Sequence, residues 1–302
     1  MSSTLVNGRG LLVKYEQLYN NYRSLAFSVA YQMIGSIHDA EDIVQEVYVQ
    51  LNRVDLSSLV EPKAYLMKMV VNKCLNYLQS TRHKRKVYTG PWLPEPLIDI
   101  HTNELLNRLL KEESISYAFT VLLHNLTELE RCVYILKKSL TFDYATISSI
   151  LNRTEQSLRK VYSRANQKIE SADKNIENKS QDTKLSSLFI EGAESGDFDP
   201  FIKELSENVV LITDGGGKVL AAIKPIHSKK NVIAFLQGIY KRGSFQGVLR
   251  MISVNGGIGV LQEINGIPNK AIMFDIQKEG ITNIYFVMNP KKLSKIGHKL
   301  LL

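Results

Sequence analysis

Up to about residue 170, apolar residues recur every three or four positions, the period of helices with one buried face. After residue 190 they run in short strings between glycines, the pattern of strands and turns. The clearest helical stripe is Ala40, Ile43, Val44, Val47, Tyr48 and Leu51, which Asp39 is placed to cap. Glu41, Asp42, Gln45 and Glu46 fall on its other side. Pro62 suits the first turn of the next helix. There Met67, Val70, Val71, Cys74, Leu75 and Leu78 face inward, and Lys68, Asn72, Asn76, Gln79 and His83 line the opposite side. This helix runs into a basic end, Arg82, Lys84, Arg85 and Lys86. Pro91, Pro94 and Pro96 then exclude a helix across 89–99.

Beyond that break, Thr127 and Glu130 have capping-box spacing ahead of Cys132, Val133, Ile135 and Leu136. A second helix is predicted over 144–151. Asn152 tolerates left-handed geometry, and Thr154 caps a third helix reaching about Lys168. Helix, short turn and helix in this order predict a helix-turn-helix, whose later helix enters the major groove of DNA. It carries Arg153, Arg159, Lys160, Arg164 and Lys168 against one acid, Glu155.

Only Gly8, Gly10, Gly35 and Gly90 of the 18 glycines precede residue 190, so the chain changes character there. Helical stretches at 185–194 and 198–207 lead to a strand over 208–213, a turn at DGGGK (214–218), a helix over 229–240 and strands near 246–254, 258–264, 269–276 and 281–288. Helices followed by antiparallel strands make this an α+β unit. DGGGK lacks the spaced first glycine of a phosphate-binding loop, and Val219 follows Lys218, so a nucleotide site is excluded. An exposed turn used for contact is expected instead.

Composition narrows the function. With 44% hydrophobic and 23% charged residues the chain buries real cores. An excess of 38 Lys+Arg over 30 Asp+Glu, net +8, leans toward an anionic partner. Cys74 and Cys132 lie in apolar helical patterns without metal-ligand spacing, so neither a disulfide framework nor a metal site is expected. No apolar run reaches the roughly 18 residues of a membrane span, and MSSTLVNGRG lacks a signal-peptide layout. A cytoplasmic protein is expected.

At the level of motifs, residues 10–170 resemble a bacterial RNA polymerase sigma factor of the extracytoplasmic-function class, and the whole chain resembles the subgroup with a fused SnoaL-like C-terminal domain. Three stretches carry the resemblance: HDAEDIVQEVYVQL (38–51), EPKAYLMKMVVNKCLNYLQSTRHKRKVY (61–88) and LTELERCVYILKKSLTFDYATISSILNRTEQSLRKVYSRANQKI (126–169). GPWLPEP (90–96), DGGGK (214–218) and NPKKL (289–293) mark the subgroup. The resemblance implies two all-α sigma domains, the second with the helix-turn-helix, followed by an α+β cone-shaped roll like nuclear transport factor two. Its divisions are sigma region 2 over 1–88, a Pro-rich linker over 89–105, sigma region 4 over 106–172, a linker over 173–184 and the SnoaL-like regulatory domain over 185–302.

Function follows from the same resemblance: a factor that binds core polymerase and directs promoter-specific initiation, modulated in cis by its last domain, with no cofactor and no catalysis of its own. Asp39, Glu41, Asp42, Gln45 and Glu46 would meet the β′ coiled coil of core polymerase. Lys68, Asn72, Asn76, Gln79, Arg82, His83, Lys84 and Arg85 would face the minus-10 element, its bases flipped toward the loop 53–62. Arg153, Thr154, Glu155, Gln156, Arg159, Lys160 and Arg164 would face the minus-35 element. Trp92, Leu93, Pro94, Glu95 and Pro96 of the linker, Asp214, Gly215, Gly216, Gly217 and Lys218 of the turn, and Asn289, Pro290, Lys291, Lys292 and Leu293 near the end would carry interdomain regulation. A docked Trp92 with Leu93 would fix the relation between the two sigma domains. The sequence departs from the family pattern at Asn76, Gln79, Glu128, Asn152 and Lys291. Two other readings stay open: a helix-turn-helix regulator acting without polymerase, and a DNA-tethered unit that is either a small-molecule isomerase or cyclase using Asp214, His227, Asp275 and Tyr285 or a sensor of a small apolar ligand.

Overall fold

A computed structural model describes residues 3–56, 59–86, 88–98, 116–172 and 179–298. The chain divides into two compact units, Met1–His83 with Leu122–Ala172, and Lys84–Val121 with Asp173–Leu302. The residues on either side of the proline break therefore share one unit, and the break itself belongs to the other.

The first unit is helical. Helix α1 (Ser3–Ile34) ends at Gly35, whose φ of 72° only glycine adopts without strain, and α2 (Ile37–Leu51) follows at once. Ser36, not Asp39, caps α2: its hydroxyl accepts the Asp39 N–H at 3.4 Å, and Asp39 sits in the first turn, where its charge favours the helix dipole. Helix α3 (Pro62–Lys86) buries Met67, Val70, Val71, Cys74 and Leu78 as the spacing predicts. Helix α4 (Tyr117–Asn125) contains the boundary between the units, and α5 (Glu128–Tyr134) opens with the full capping box of Thr127 and Glu130. Cys74 and Cys132 are free and buried, and burial pushes both thiols up, Cys132 to about 12.

Arg131 is the main polar tie in this core. Its guanidinium donates to the carbonyls of Leu123 (2.9 Å), Leu126 (3.3 Å) and Met33, the last on the final turn of α1, where a cation complements the dipole. Past α5 the chain makes a π-helical turn, Ile135–Ser139, and then places Thr141 at φ 57°. Helix α6 (Tyr144–Leu151), capped by Asp143, ends on Asn152 in the left-handed conformation (φ 56°), and α7 (Glu155–Ala172) completes the helix-turn-helix.

The second unit is the α+β roll. Helix α8 (Lys179–Ser195) begins inside the stretch expected as a linker, and α9 (Asp199–Lys203) leads directly into β1 (Leu205–Asp214). Then come β2 (Ile226–His227), α10 (Lys229–Lys241), β3 (Val248–Val254), β4 (Gly257–Ile264), β5 (Ile267–Gln277), β6 (Gly280–Val287) and α11 (Pro290–His298). The sheet order is β2-β1-β6-β5-β4-β3. Strands β3 to β6 form the expected antiparallel meander. Strand β1 pairs parallel with β6, because α10 and three strands supply the crossover that returns the chain alongside it. Asn255–Gly256 and Asn265–Gly266, all at positive φ, make the tight β3–β4 and β4–β5 hairpin turns.

Each sheet face has its own core. On one side Phe189 of α8 is surrounded by Phe198, Phe201, Phe245, Phe274 and Phe286, with ring centroids 5.2–6.1 Å away. On the other, Ile252, Val254, Leu261, Met273, Tyr285 and Val287 pack with Leu93, Ile98, Tyr117, Val121 and Leu293.

Lys270, 1% exposed, lies on the phenylalanine side. Its ammonium donates to the Ser244 carbonyl (3.0 Å) and hydroxyl (3.1 Å) and sits 4.7 Å from the Phe245 ring centre. Burial pulls its pKa from 10.5 down to about 8. Below pH 8 both folded and unfolded chains hold the proton. Between about 8 and 10.5 the unfolded chain alone holds it, so stability rises with pH through that window, by at most about 3 kcal/mol. Urea titrations followed by Trp92 fluorescence, a signal confined to this unit, will show that rise, and Lys270→Met will remove it.

Candidate binding faces and the linker node

On α2 the buried stripe fixes what is left outside. Glu41, Asp42, Gln45 and Glu46 are exposed, and Asp42, Gln45 and Glu46 join Val49, Gln50 and Arg53 around a groove of about 490 Å³. Val49 is 60% exposed, an apolar floor between acids and one arginine. Sequence reasoning stopped the functional stripe at Glu46, although positions 49, 50 and 53 continue the same helical period. Lys73 of α3 bonds Glu46 at 2.7 Å, and the His38 ring lies 3.5 Å from Asp42.

Lys68, Asn72, Asn76 and Gln79 are all exposed on α3 and form one polar row. Arg82, His83, Lys84 and Arg85 continue the helix backbone, but their side chains lie outside the described residues. In the preceding loop, Val60 is 93% exposed.

The start of α7 presents Arg153, Thr154, Glu155, Gln156, Arg159 and Lys160 to solvent, with Arg164 one turn further on. Arg159 pairs with Glu155 at 3.1 Å. Lys168 does not continue this face: its ammonium bonds both oxygens of Glu130, at 2.8 and 2.9 Å, and closes the capping box of α5. Burial opposes the charge on Glu130, but the bonds from Lys168 and Thr127 outweigh it and hold its pKa below the ordinary value.

In the second unit, residues 88–98 converge on Asp214. The Asp214 side chain is fully buried, and its Oδ1 accepts the Tyr88 hydroxyl (2.5 Å) and the Gly216 N–H (3.1 Å). Oδ2 accepts the Leu93 N–H (2.8 Å) and the Lys292 ammonium (2.7 Å). Lys292 also donates to the Leu93 carbonyl and lies 4.2 Å from the Trp92 ring centre. Asn289 donates to the Tyr88 oxygen at 2.8 Å. Burial and the bond to Asp214 push the Tyr88 phenol up. Further along, Leu97 exchanges two bonds with Asn255, N–H to Oδ1 at 2.9 Å and carbonyl to N–H at 2.8 Å. The Tyr117 hydroxyl donates to the Pro94 carbonyl at 2.8 Å.

The glycines of the turn are there for clearance. A Cβ on Gly216 (φ 61°) would lie 2.2 Å from the Asn289 amide, and one on Gly217 (φ 68°) 3.0 Å from the Thr89 hydroxyl. Asp214, Gly216, Asn289, Lys292 and Leu293 are thus brought together with Leu93, and Pro94 and Pro96 are buried beside them. Gly215 is buried, Trp92 and Glu95 are half-buried, and Lys218, Pro290 and Lys291 are exposed. The turn expected to be exposed is therefore anchored by a buried acid. Trp92 and Leu93 dock on the roll, where a contact fixing the two sigma domains was expected. Tyr88, Asn255 and Tyr117 were missed: Tyr88 precedes the motif, Asn255 reads as a hairpin residue, and Tyr117 as helix core.

The residues available for isomerase chemistry are not gathered on the phenylalanine side. Asp214 holds the node, His227 is exposed on β2, and Asp275 accepts from the Asn283 amide at 2.9 Å. Tyr285 packs edge-on against Tyr117. No group of three or more His, Cys, Asp or Glu among the described residues has metal-site geometry, and no described helix is long and apolar enough to cross a membrane.

The Sigma-70 region 2 family matches residues 18–84. The chain is similar to the ECF RNA polymerase sigma factor SigJ of Mycobacterium tuberculosis, 28% identical over 243 residues, covering 78% of this chain and 77% of that one. The probable ECF RNA polymerase sigma factor SigI of the same organism is 25% identical over 191 residues, 62% of this chain and 66% of its own. The crystal structure of the M. tuberculosis extracytoplasmic function sigma factor SigJ has the same fold, with a TM-score of 0.74 over 94% of this chain and 98% of that one at 24% identity.

Removing one partner of a buried ion pair strands the other. Lys292→Met will lower the stability of the second unit by about 3–5 kcal/mol, and Asp214→Asn combined with it will restore part of the loss, because no charge is then stranded and the amide oxygen still accepts a hydrogen bond. Urea midpoints read from Trp92 fluorescence measure both.

Proposed function

We propose that the chain, which is similar over 78% of its length to an ECF RNA polymerase sigma factor and carries a Sigma-70 region 2 match over residues 18–84, is itself such a factor with a SnoaL-like C-terminal domain, and that promoter selection by its helical unit is controlled in cis through the Asp214 node. In this reading the α2 groove takes the β′ coiled coil of core polymerase, with Val49 as the apolar contact between flanking charges. The polar row of α3 holds the minus-10 bases, and the exposed start of α7 reads the minus-35 element while Lys160 and Arg164 meet phosphate. The domain boundaries proposed for these roles are those of the two sigma regions and the SnoaL-like domain, with the 89–105 segment acting as part of the last.

The observation that carries the regulatory part is the fourfold coordination of Asp214, two of whose partners, Tyr88 and Leu93, belong to residues 88–98, while a third, Lys292, also bonds the Leu93 carbonyl. That segment leaves the first unit after His83, and the chain re-enters it at Leu122. Docking it sets the length and exit points of the connection between the two promoter-reading parts. A change in docking thus alters the range over which they separate on polymerase. A small apolar ligand acting as a signal would have to displace rings from the cluster around Phe189.

Cutting the chain before α8 would strip Leu93, Ile98 and Tyr117 of their cover, so the test uses full-length protein. Core polymerase with the wild-type chain will start transcripts on the DNA upstream of its own gene that core alone does not. Trp92→Ala, which removes the ring facing Lys292 but leaves the ion pair, will change that output at least threefold without loss of core binding. Equal output from both forms overturns control through the node. Promoter binding that needs no core polymerase overturns the sigma mechanism in favour of an independent DNA-binding regulator.

A further inference from the structure

The corner ahead of the helix-turn-helix has three features that promoter binding has not yet used. One is the π-helical turn Ile135–Ser139, a form that occurs mostly as single turns and frequently at functional sites. Another is Thr141, a β-branched residue held at φ 57°, where such side chains are strained by roughly 1–2 kcal/mol. The last is Tyr144, the first residue of α6, whose ring has the Arg159 guanidinium carbon 4.2 Å and the Lys137 ammonium 5.0 Å from its centre.

These features are one construction. In the π turn Leu140 N–H bonds the Ile135 carbonyl (3.1 Å), and the N–H of Phe142 returns to Leu136 (3.1 Å) across Thr141. This brings the Lys137 ammonium onto the Phe142 carbonyl at 3.1 Å and over Tyr144. Tyr144 in turn meets Tyr162 of α7 edge-on (6.4 Å, 77°), and Tyr162 stacks on the buried Tyr134 (6.0 Å, 19°). The platform is therefore anchored in the core of the first unit. Arg159 lies on it with Nη2 held by Glu155 at 3.1 Å.

We propose that Tyr144 is a specificity-determining positioning residue, a ring platform that holds the Arg159 guanidinium in one plane so that its remaining N–H edge reads a base in the upstream promoter element. The inference rests on the reading that the start of α7 faces DNA. A free arginine carries about 2 kcal/mol of rotamer entropy, much of it lost on binding. An arginine already confined by a ring and a carboxylate loses less, and it meets the wrong base in a geometry from which it cannot relax. A bidentate arginine reads the O6 and N7 of guanine, so the base class expected opposite Arg159 is guanine. The ring adds discrimination at that one position and no charge, so it leaves the salt dependence of binding unchanged.

The test uses holoenzyme assembled from core polymerase and the full chain, selecting from a pool of random-sequence duplexes. Wild type will select guanine at one upstream position. Tyr144→Phe will keep that preference, Tyr144→Leu will reduce it about three- to tenfold, and Arg159→Ala will lose it at the same position, all with the preferences elsewhere intact. The slope of affinity against salt will match wild type for Tyr144→Leu and fall for Arg159→Ala only if Arg159 also meets phosphate. Should Tyr144→Leu fail to fold, Tyr144→Met fills the space without a ring face and carries the same comparison. Uniform weakening on every sequence by the Tyr144 variants makes the ring structural support and overturns the proposal. Unchanged preference in Tyr144→Leu with loss in Arg159→Ala also overturns it while leaving the DNA-reading role of α7 standing. No change with Arg159→Ala removes that role itself.

Discussion

The second unit turns on one buried carboxylate. Asp214 ends β1 at the point where the strand leaves the sheet, and its own carbonyl still accepts from Met288 at 2.8 Å, so the side chain is delivered to its site by the ladder. A carboxylate without access to water is tolerable only when its lone pairs are filled and a cation stands close. Lys292 supplies the cation, and the remaining donors come from the segment 88–98 and from the turn itself. The residues of three separated motifs are thereby obligatory neighbours: an acid that must be satisfied, glycines that leave room for Asn289 and Thr89, and a lysine that also bonds the docked backbone.

That requirement explains why the proline-rich stretch is ordered on the roll rather than acting as a bare spacer. Prolines at 91, 94 and 96 lack N–H donors, so few amides in the segment need partners. Those of Leu93 and Leu97 find Asp214 and Asn255. Leu93, Leu97 and Ile98 then add apolar contact with the sheet face. Polar satisfaction fixes the register of the segment, and burial supplies the attraction.

Much of this was legible in the sequence, and the rest was hidden for identifiable reasons. Helical period and caps placed α2, α3, α5, α6 and α7, because capping chemistry is local: Thr127 needs only Glu130 three residues on. The fold class followed from the change in glycine usage and the strand patterns. The cap of α2 was misplaced because Ser36 and Asp39 are both good caps and only the backbone conformation decides between them. The parallel pairing of β1 with β6 leaves no mark on either strand, since period-two alternation is blind to partner direction. The motifs at 90–96, 214–218 and 289–293 were visible as motifs, but their meeting at Asp214 joins residues 78 to 126 positions apart, which spacing does not encode. Lys168 was counted with the basic charge of α7 because helical position alone cannot distinguish a free cation from one bound to Glu130.

Docked and undocked forms of the 88–98 segment differ by opposing terms. Ordering a residue costs about 1–2 kcal/mol, and burying an aliphatic side chain returns about 1.5–3 kcal/mol. Over this segment the burial of Leu93, Leu97 and Ile98 alone returns less than ordering costs, so docking depends on the hydrogen bonds and the ion pair at Asp214. That condition suits a regulator: an effector shifts an equilibrium only by its differential affinity for the two states, and a contact held by a few polar bonds responds to the 1–3 kcal/mol typical of coupling between sites. The corner at Tyr144 has the opposite character. Its ring column ends in the core and its turn is held by i→i−5 and longer bonds. Under the proposed function, the chain thus separates a ring-supported element that reads bases from a polar-anchored one that sets where the reading elements stand.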